Sequence, residues 1–203
     1  KNQEEFMGSL AHEMKTPLTS IIGYADLMRI ENLSEEEQKE ACGYIYSEGK
    51  RLQNLSLKLM NLLVLKNQEF QMKKQNLVPM IHEVISSMQY RLQEQEILVN
   101  LNLKPTICEV EADLLKSLIL NLVDNSLKSM NVGGILTIEC CPAQEGAKIY
   151  VSDTGCGMPK GELDKITEAF YRVDKSRSRK QGGVGLGLAL CKEIVRIHKG
   201  DME

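Results

Sequence analysis

Met7, Leu10, Met14, Pro17, Ile21, Tyr24 and Met28 recur on alternating three- and four-residue steps. That spacing is the a/d seam of a heptad pattern, and it commits the segment to a long helix with one apolar stripe. The pattern breaks near Glu31-Asn32-Leu33. Ser34 then precedes Glu37 by three residues, a capping box that opens a second helix. On that helix Ile45, Leu52, Leu55, Leu59 and Leu62 form another seam, running to about Gln68. Two long helices with so short a connection lie antiparallel as a hairpin. A lone hairpin covers one stripe of each helix, yet Phe6, Leu18, Ile22, Leu27, Met60 and Leu63 add apolar positions beside the seams. The expectation is that two hairpins pair into a four-helix bundle, which makes residues 1–70 a homodimerising domain.

From about Gln75 the texture is mixed, and residues 71–203 read as a second domain. Leu77-Val78 is a short strand candidate, Met80 to about Gln93 a helix, and Ile97 to Leu103 an alternating strand. Asp113 is positioned to cap a helix through Leu114-Leu115, Leu118-Ile119, Leu122 and Leu127, ended by Gly133-Gly134. Ile135 to Cys140 and Lys148 to Ser152 read as paired strands, and residues 154–183 as a long polar segment before a last helix from Gly185 to His198. Strands and helices without strict alternation imply an α+β sandwich, a mixed sheet with helices on one face.

Composition removes several function classes. At 42% hydrophobic and 26% charged, the 203 residues have the mix of a globular chain, not a disordered one. A net charge of −3 lacks the basic excess of a dedicated nucleic-acid binder, and 4% aromatics without Trp offer no base-stacking platform. No apolar run approaches the ~18 residues that a membrane helix needs. The six cysteines (Cys42, Cys108, Cys140, Cys141, Cys156, Cys191) show no CxxC pair and no histidine at zinc-ligand spacing, so they read as reduced thiols of a cytosolic chain.

Four segments of the second domain carry possible chemistry, each with a plain structural alternative. Gly182-Gly183-Val184-Gly185-Leu186-Gly187-Leu188 precedes an apolar helix, where backbone N–H groups and the helix terminus can cradle phosphate; it is equally a simple loop, and the Walker ending is missing. Asp153-Thr154-Gly155-Cys156-Gly157 follows a strand and can offer a fixed carboxylate to a base amino group, or merely close an Asx turn. Asn121, Asn125 and Lys128 share one helix face and could hold a hydrated metal and a phosphate, or be a solvated surface. Arg172, Lys175, Arg177, Arg179 and Lys180 crowd the polar segment as either a solvated loop or a mobile lid.

In this order, Asn121-Leu-Val-Asp-Asn125-Ser-Leu-Lys128, Asp153-Thr-Gly155-Cys-Gly157, Phe170-Tyr171-Arg172-Val-Asp174 and Gly183-Val-Gly185-Leu-Gly187-Leu resemble the successive boxes of sensor histidine kinases, members of the ATPase superfamily shared with gyrase and mismatch-repair proteins. Ser9-Leu-Ala-His12-Glu13-Met-Lys15-Thr16-Pro17-Leu18 resembles their phosphoacceptor box. Together the segments cover essentially the whole chain. With Met7 and Met14 at a positions, His12 falls at f on the outer face. The resemblance implies ATP-dependent phosphorylation of His12, with Glu13 as base or tautomer holder and transfer onward to an aspartate on the receiver domain of a response regulator. It further implies ATP and Mg²⁺ as cofactors: Asn125 as metal ligand, Asn121 and Lys128 beside the metal and phosphates, Asp153 on the adenine amino group, Gly155 and Gly157 under the base, and Gly183, Gly185 and Gly187 along the triphosphate. Arg172 would neutralise charge on the transferred group, Phe170 would anchor the lid by packing, and Thr16 would orient a water for dephosphorylating the regulator. Pro17, lacking an N–H, should kink the helix after the reactive turn.

The chain departs from the family's pattern at Ser129, where many relatives place an aromatic near the adenine, and at Val184, where a hydroxyl is frequent. Relative to that pattern, further strands are expected after Glu203, and a linker and sensor before Lys1, the fragment being cytoplasmic with membrane anchoring reserved for the full-length protein. Two other readings stay open. One is an ATPase of the same superfamily that drives conformational change; the other is a degenerate kinase that dimerises and docks a regulator without catalysis.

Overall fold

The computed structural model describes residues 2–30, 32–173 and 183–203. Helix α1 (Asn2–Ile30) and helix α2 (Glu35–Asn67) form the hairpin. The capping box closes as the sequence predicts: Ser34 Oγ accepts from the Glu37 N–H, and Glu37 Oε2 accepts from the Ser34 N–H at 2.9 Å. Such a cap is worth about 1 kcal/mol. Pro17 and Ala41 are buried, Leu55 and Leu62 are buried as part of the core that continues into the second domain, and the Tyr24 and Tyr44 rings of the two helices stack at 4.6 Å. Of the expected seam, Met7 and Met14 remain half-exposed, together with Leu18, Ile22, Met60 and Leu63. A single hairpin therefore leaves one apolar flank uncovered. Helix α1 continues through Pro17. In the turns around it, Thr16, Thr19 and Ser20 each donate a hydroxyl to the carbonyl four residues back, contacts that tend to bend a helix.

The second domain follows as β1 (Lys73–Asn76), α3 (Leu77–Ser87), α4 (Gln89–Glu94), β2 (Leu98–Leu103), β3 (Ile107–Val110), α5 (Ala112–Ser129), β4 (Ile135–Ala143), β5 (Gly146–Asp153), a 3₁₀ turn at Lys160–Glu162, and α6 (Gly187–Ile197). Strand β4 is central to a mixed three-stranded sheet: β2 runs parallel to it with Leu98 opposite Ile135, and β5 antiparallel with Leu136 opposite Asp153. Strands β1 and β3 make a separate antiparallel pair. Along β4 the side chains of Leu136, Ile138 and Cys140 are fully buried on one face, the period-two pattern of a sheet covered on one side. Ile81 and Val84 of α3, Ile119, Val123 and Leu127 of α5, and Leu190 and Ile194 of α6 fill the same core. That is the α+β sandwich expected from the sequence.

Three local readings need correction. Leu77-Val78 is not a strand but the first turn of α3, because Asn76 Oδ1 accepts from the Val78 N–H at 3.1 Å and caps the helix. The helix expected from Met80 to Gln93 breaks at Met88 into α3 and α4. Helix α5 is capped by Glu111, whose Oε2 accepts from the Leu114 N–H at 2.7 Å, while Asp113 lies in its first turn. No described helix is long and apolar enough to cross a membrane.

Candidate nucleotide and phosphoacceptor site

The turn after β5 and the end of α5 are sewn together. Asp153 Oδ1 accepts from the Gly155 N–H at 2.9 Å, so the Asx turn is real. The Ser129 hydroxyl lies within donating distance of both that oxygen, at 2.8 Å, and the Ser126 carbonyl, at 2.9 Å. Among the described residues Asp153 Oδ2 has no hydrogen-bond partner, and Asp153 is exposed. A turn and a binding carboxylate are therefore compatible. Gly155 is required by this packing: a Cβ there would come within 2.1 Å of Ser129 Oγ.

Two turns earlier on α5, Asn121 donates Nδ2 to the Ser117 carbonyl at 2.8 Å, which leaves its Oδ1 available. Gly187 opens α6 directly against this face; a Cβ on it would meet Asn121 Oδ1 at 3.5 Å and Asn125 at 3.7 Å. The asparagine stripe is thus covered by the glycine segment and is not a solvated surface. Lys128 is less free than its position suggests. Its ammonium pairs with Asp124 Oδ2 at 2.6 Å, and Arg91 holds Asp124 Oδ1 at 2.7 Å. Burial alone would raise the Asp124 carboxyl, but the hydrogen bonds and charges of Lys128 and Arg91 outweigh it and hold the carboxyl below its ordinary value.

Gly185 has φ +74°, and a Cβ there would collide with the backbone of Phe170 and Tyr171. Its carbonyl accepts from the Phe170 N–H at 2.8 Å, so the glycine segment and the start of the polar segment lie side by side. Phe170 packs its ring 5.2 Å from that of Phe6 on α1, a contact with the hairpin. Arg172 donates Nη1 to the Gly183 carbonyl at 2.8 Å and Nη2 to Glu13 Oε1. Glu13 Oε2 in turn accepts from Arg51 on α2 at 3.1 Å. Neighbouring His12 is exposed on the outer face, as the f position requires. Thr16 Oγ1 donates to the His12 carbonyl at 3.3 Å.

These elements border an open cavity of about 240 Å³ lined by Asn125, Lys128, Gly183, Gly185 and Gly187 together with Met158, Ile166 and Leu188. It offers amides, an ammonium and glycine backbone beside apolar side chains, the donor set of a polyphosphate carrying a flat base. Among the described residues no group of three or more His, Cys, Asp or Glu is arranged to hold a metal. A hard cation would therefore depend on an asparagine oxygen, phosphate and water, which suits Mg²⁺. Of the expected residues, Asn125, Lys128, Arg172, Gly183, Gly185 and Gly187 line this cavity. Asn121, Asp153, Gly155 and Gly157 do not line it; Asn121 approaches through Gly187 and Asp153 through Ser129, and Gly157, at φ +64°, turns the chain between the lining residues Cys156 and Met158. Lys175, Arg177, Arg179 and Lys180 lie outside the described residues. Sequence reasoning missed Arg51, Lys58, Arg91 and Asp124. Asp124 alone carried a signal, its four-residue spacing from Lys128.

Residues 2–62 match the model of the His Kinase A (phospho-acceptor) domain, and residues 110–203 that of the histidine kinase-, DNA gyrase B- and HSP90-like ATPase. The chain is 31% identical over 213 residues to the sensor histidine kinase WalK of Bacillus subtilis (strain 168), covering 100% of this chain and 34% of that protein. It is 27% identical over 207 residues to the sensor protein SrrB of Staphylococcus aureus (strain NCTC 8325 / PS 47), covering 99% and 35%. It thus spans about a third of the length of these curated relatives. Among solved structures, histidine kinase ThkA in complex with response regulator protein TrrA aligns at TM-score 0.79 and 21% identity, over 98% of this chain and 58% of that one. Acinetobacter baumannii histidine kinase AdeS aligns at TM-score 0.68 and 19% identity, over 92% and 86%. At these identities the structural matches speak for the fold.

Proposed function

The chain belongs to the histidine kinase family, with a phospho-acceptor domain ahead of its ATPase domain, and from that premise we propose that it transfers the γ-phosphoryl group of ATP to His12 and then to an aspartate on a response-regulator receiver domain. The observation that carries this is the meeting of the two domains. The residue after exposed His12 holds an arginine that also grips the glycine segment of the cavity.

In the reading we favour, residues 1–70 are the dimerisation and phosphotransfer domain and residues 71–203 the ATP-binding domain. The imidazole nitrogen of His12 attacks the γ-phosphorus. An N–P bond forms as the P–O bond to the β-phosphate breaks, ADP leaves, and the ring proton passes to Glu13. Both Glu13 oxygens are engaged by arginines, so Arg172 must first release Glu13; its guanidinium is then available to the transferring group. Asp153 would take the adenine amino group, Gly155 and Gly157 would flank the base, and Gly183, Gly185 and Gly187 the phosphates. Asn125, helped by Asn121 and Lys128, would hold Mg²⁺, which when bound draws charge from the phosphate oxygens. The uncovered stripe of Met7, Met14, Leu18 and Ile22 supports a homodimer. Use of ATP suits the cytoplasmic side of a membrane, and the curated relatives run to about three times the matched length, which leaves them room for an anchor.

Incubation with γ-labelled ATP tests the proposal. Label on the protein should be acid-labile and base-stable, should vanish with a magnesium chelator, and should be absent from His12→Gln, which still binds nucleotide. Release of free phosphate without labelling would instead identify a conformational ATPase.

A further inference from the structure

Lys58 belongs to α2, in the domain that holds no nucleotide motif, yet it lines the cavity with Asn125, Lys128, Gly183, Gly185 and Gly187. The charged and titratable groups that act on its ammonium are Asp124 and Lys128 on α5 and Cys191 on α6. Of these, Lys128 lines the cavity, and none of the three belongs to the Asp153 turn. Asp124 makes no pair with Lys58; its two oxygens accept from Arg91 and Lys128. Among the described residues Lys58 makes no ion pair or hydrogen bond.

Lys128 and Arg91 pair with Asp124 while Lys58 lies within its electrostatic reach, and two of these three cations, Lys58 and Lys128, line the cavity. Burial and the nearby Lys128 charge hold the Lys58 ammonium below its ordinary value, with Asp124 offsetting part of this. A partly buried cation without an anion is a costly arrangement. A polyanion in the cavity would relieve it, and the hairpin would gain a contact that exists only when the site is filled.

We propose that Lys58 is a phosphate-binding residue lent by the hairpin to the nucleotide cavity, so that α2 senses the phosphate chain and nucleotide binding draws the ATPase domain onto the hairpin. This rests on the nucleotide reading above and adds a residue from outside the ATPase boxes to it. Its ligand class is a nucleoside di- or triphosphate, distinguished by phosphate number and not by the base.

The test is calorimetric titration of the full chain with a non-hydrolysable ATP analogue, ADP and AMP, in the wild type, Lys58→Gln and Lys58→Arg. Lys58→Gln should weaken the analogue about tenfold, ADP less, and AMP not at all, since a charge-assisted phosphate contact scales with the charge it meets. Lys58→Arg should retain most of the affinity, and the wild-type advantage should shrink in high salt. Unchanged analogue affinity in Lys58→Gln, or equal losses for all three ligands, would overturn the proposal while leaving the nucleotide site in place. A wild type that binds none of the three would overturn the nucleotide reading itself.

Discussion

Arg172 bridges the two domains: one guanidinium nitrogen donates to the Gly183 carbonyl at 2.8 Å and the other to Glu13, the neighbour of His12. Both side chains are largely withdrawn from solvent, Arg172 at 7% and Glu13 at 11% exposure, so neither charge is left to water. The arginine is thereby held where the His12 turn meets the glycine segment, and under the proposed mechanism the same contact occupies the residue that would serve as base.

Arg172→Ala is expected to slow labelling of His12 about a hundredfold, the usual cost of losing one preorganised charge on a transition state. Nucleotide affinity should change far less. Initial rates of labelling and equilibrium nucleotide binding, measured on the same variant, separate the two effects. Parallel losses in both would make Arg172 a binding residue only.

Asn125 should behave as a metal residue. Asn125→Ala removes a half-buried amide beside Gly187 without opening a core cavity, so the fold should persist in circular dichroism. Phosphoryl transfer should largely disappear. Asn125→Asp, with a charged oxygen, should shift the magnesium concentration that supports half-maximal labelling. An Ala variant labelling at the wild-type rate would return the stripe to a structural role.

Asp124 gives the protein an acid-sensitive element. Its folded carboxyl lies below the ordinary value of 3.8, so the unfolded chain takes up this proton first as pH falls. The resulting stability is fully present above about 3.8 and is lost as pH drops through the lower folded value. Asp124→Asn should therefore lower stability at pH 7, and the gap to the wild type should narrow below pH ~4 in denaturant titrations. A gap independent of pH would assign the loss to packing.

The parts legible in the sequence were those written in local spacing. The seams around Pro17, Leu55 and Leu62, the Ser34–Glu37 box and the Asp153 turn each depend on residues a few positions apart. Leu77-Val78 misled because two apolar residues fit a strand or a helix equally, and the decision lies with the Asn76 side chain. The α5 cap misled for a longer-range reason: the Glu111 N–H is taken by His198 Nε2 at 3.0 Å, from the far end of α6, which fixes Glu111 as the cap over Asp113. Arg51, Lys58 and Arg91 gain their meaning from elements distant in the chain. No periodicity within α2 or α4 announces a carboxylate or a nucleotide cavity opposite.

Thr16 is expected to separate two activities of one helix turn. Its hydroxyl donates to the His12 carbonyl at a long 3.3 Å, next to Pro17, which has no N–H to give the Glu13 carbonyl. Labelling of His12 needs a ring nitrogen, a base and ATP, none of them a hydroxyl. Dephosphorylation of a docked aspartyl phosphate needs an aligned water, which a hydroxyl one turn from His12 can hold once it leaves its weak intrahelical acceptor. Losing such a positioning contact costs about a hundredfold in rate. Thr16→Ala should therefore spare autophosphorylation and sharply slow regulator dephosphorylation, while Thr16→Ser, which keeps the hydroxyl, should retain both. If Thr16 only shapes the turn before Pro17, Thr16→Ala should reduce both activities together, and measuring the two rates on one preparation decides between these outcomes.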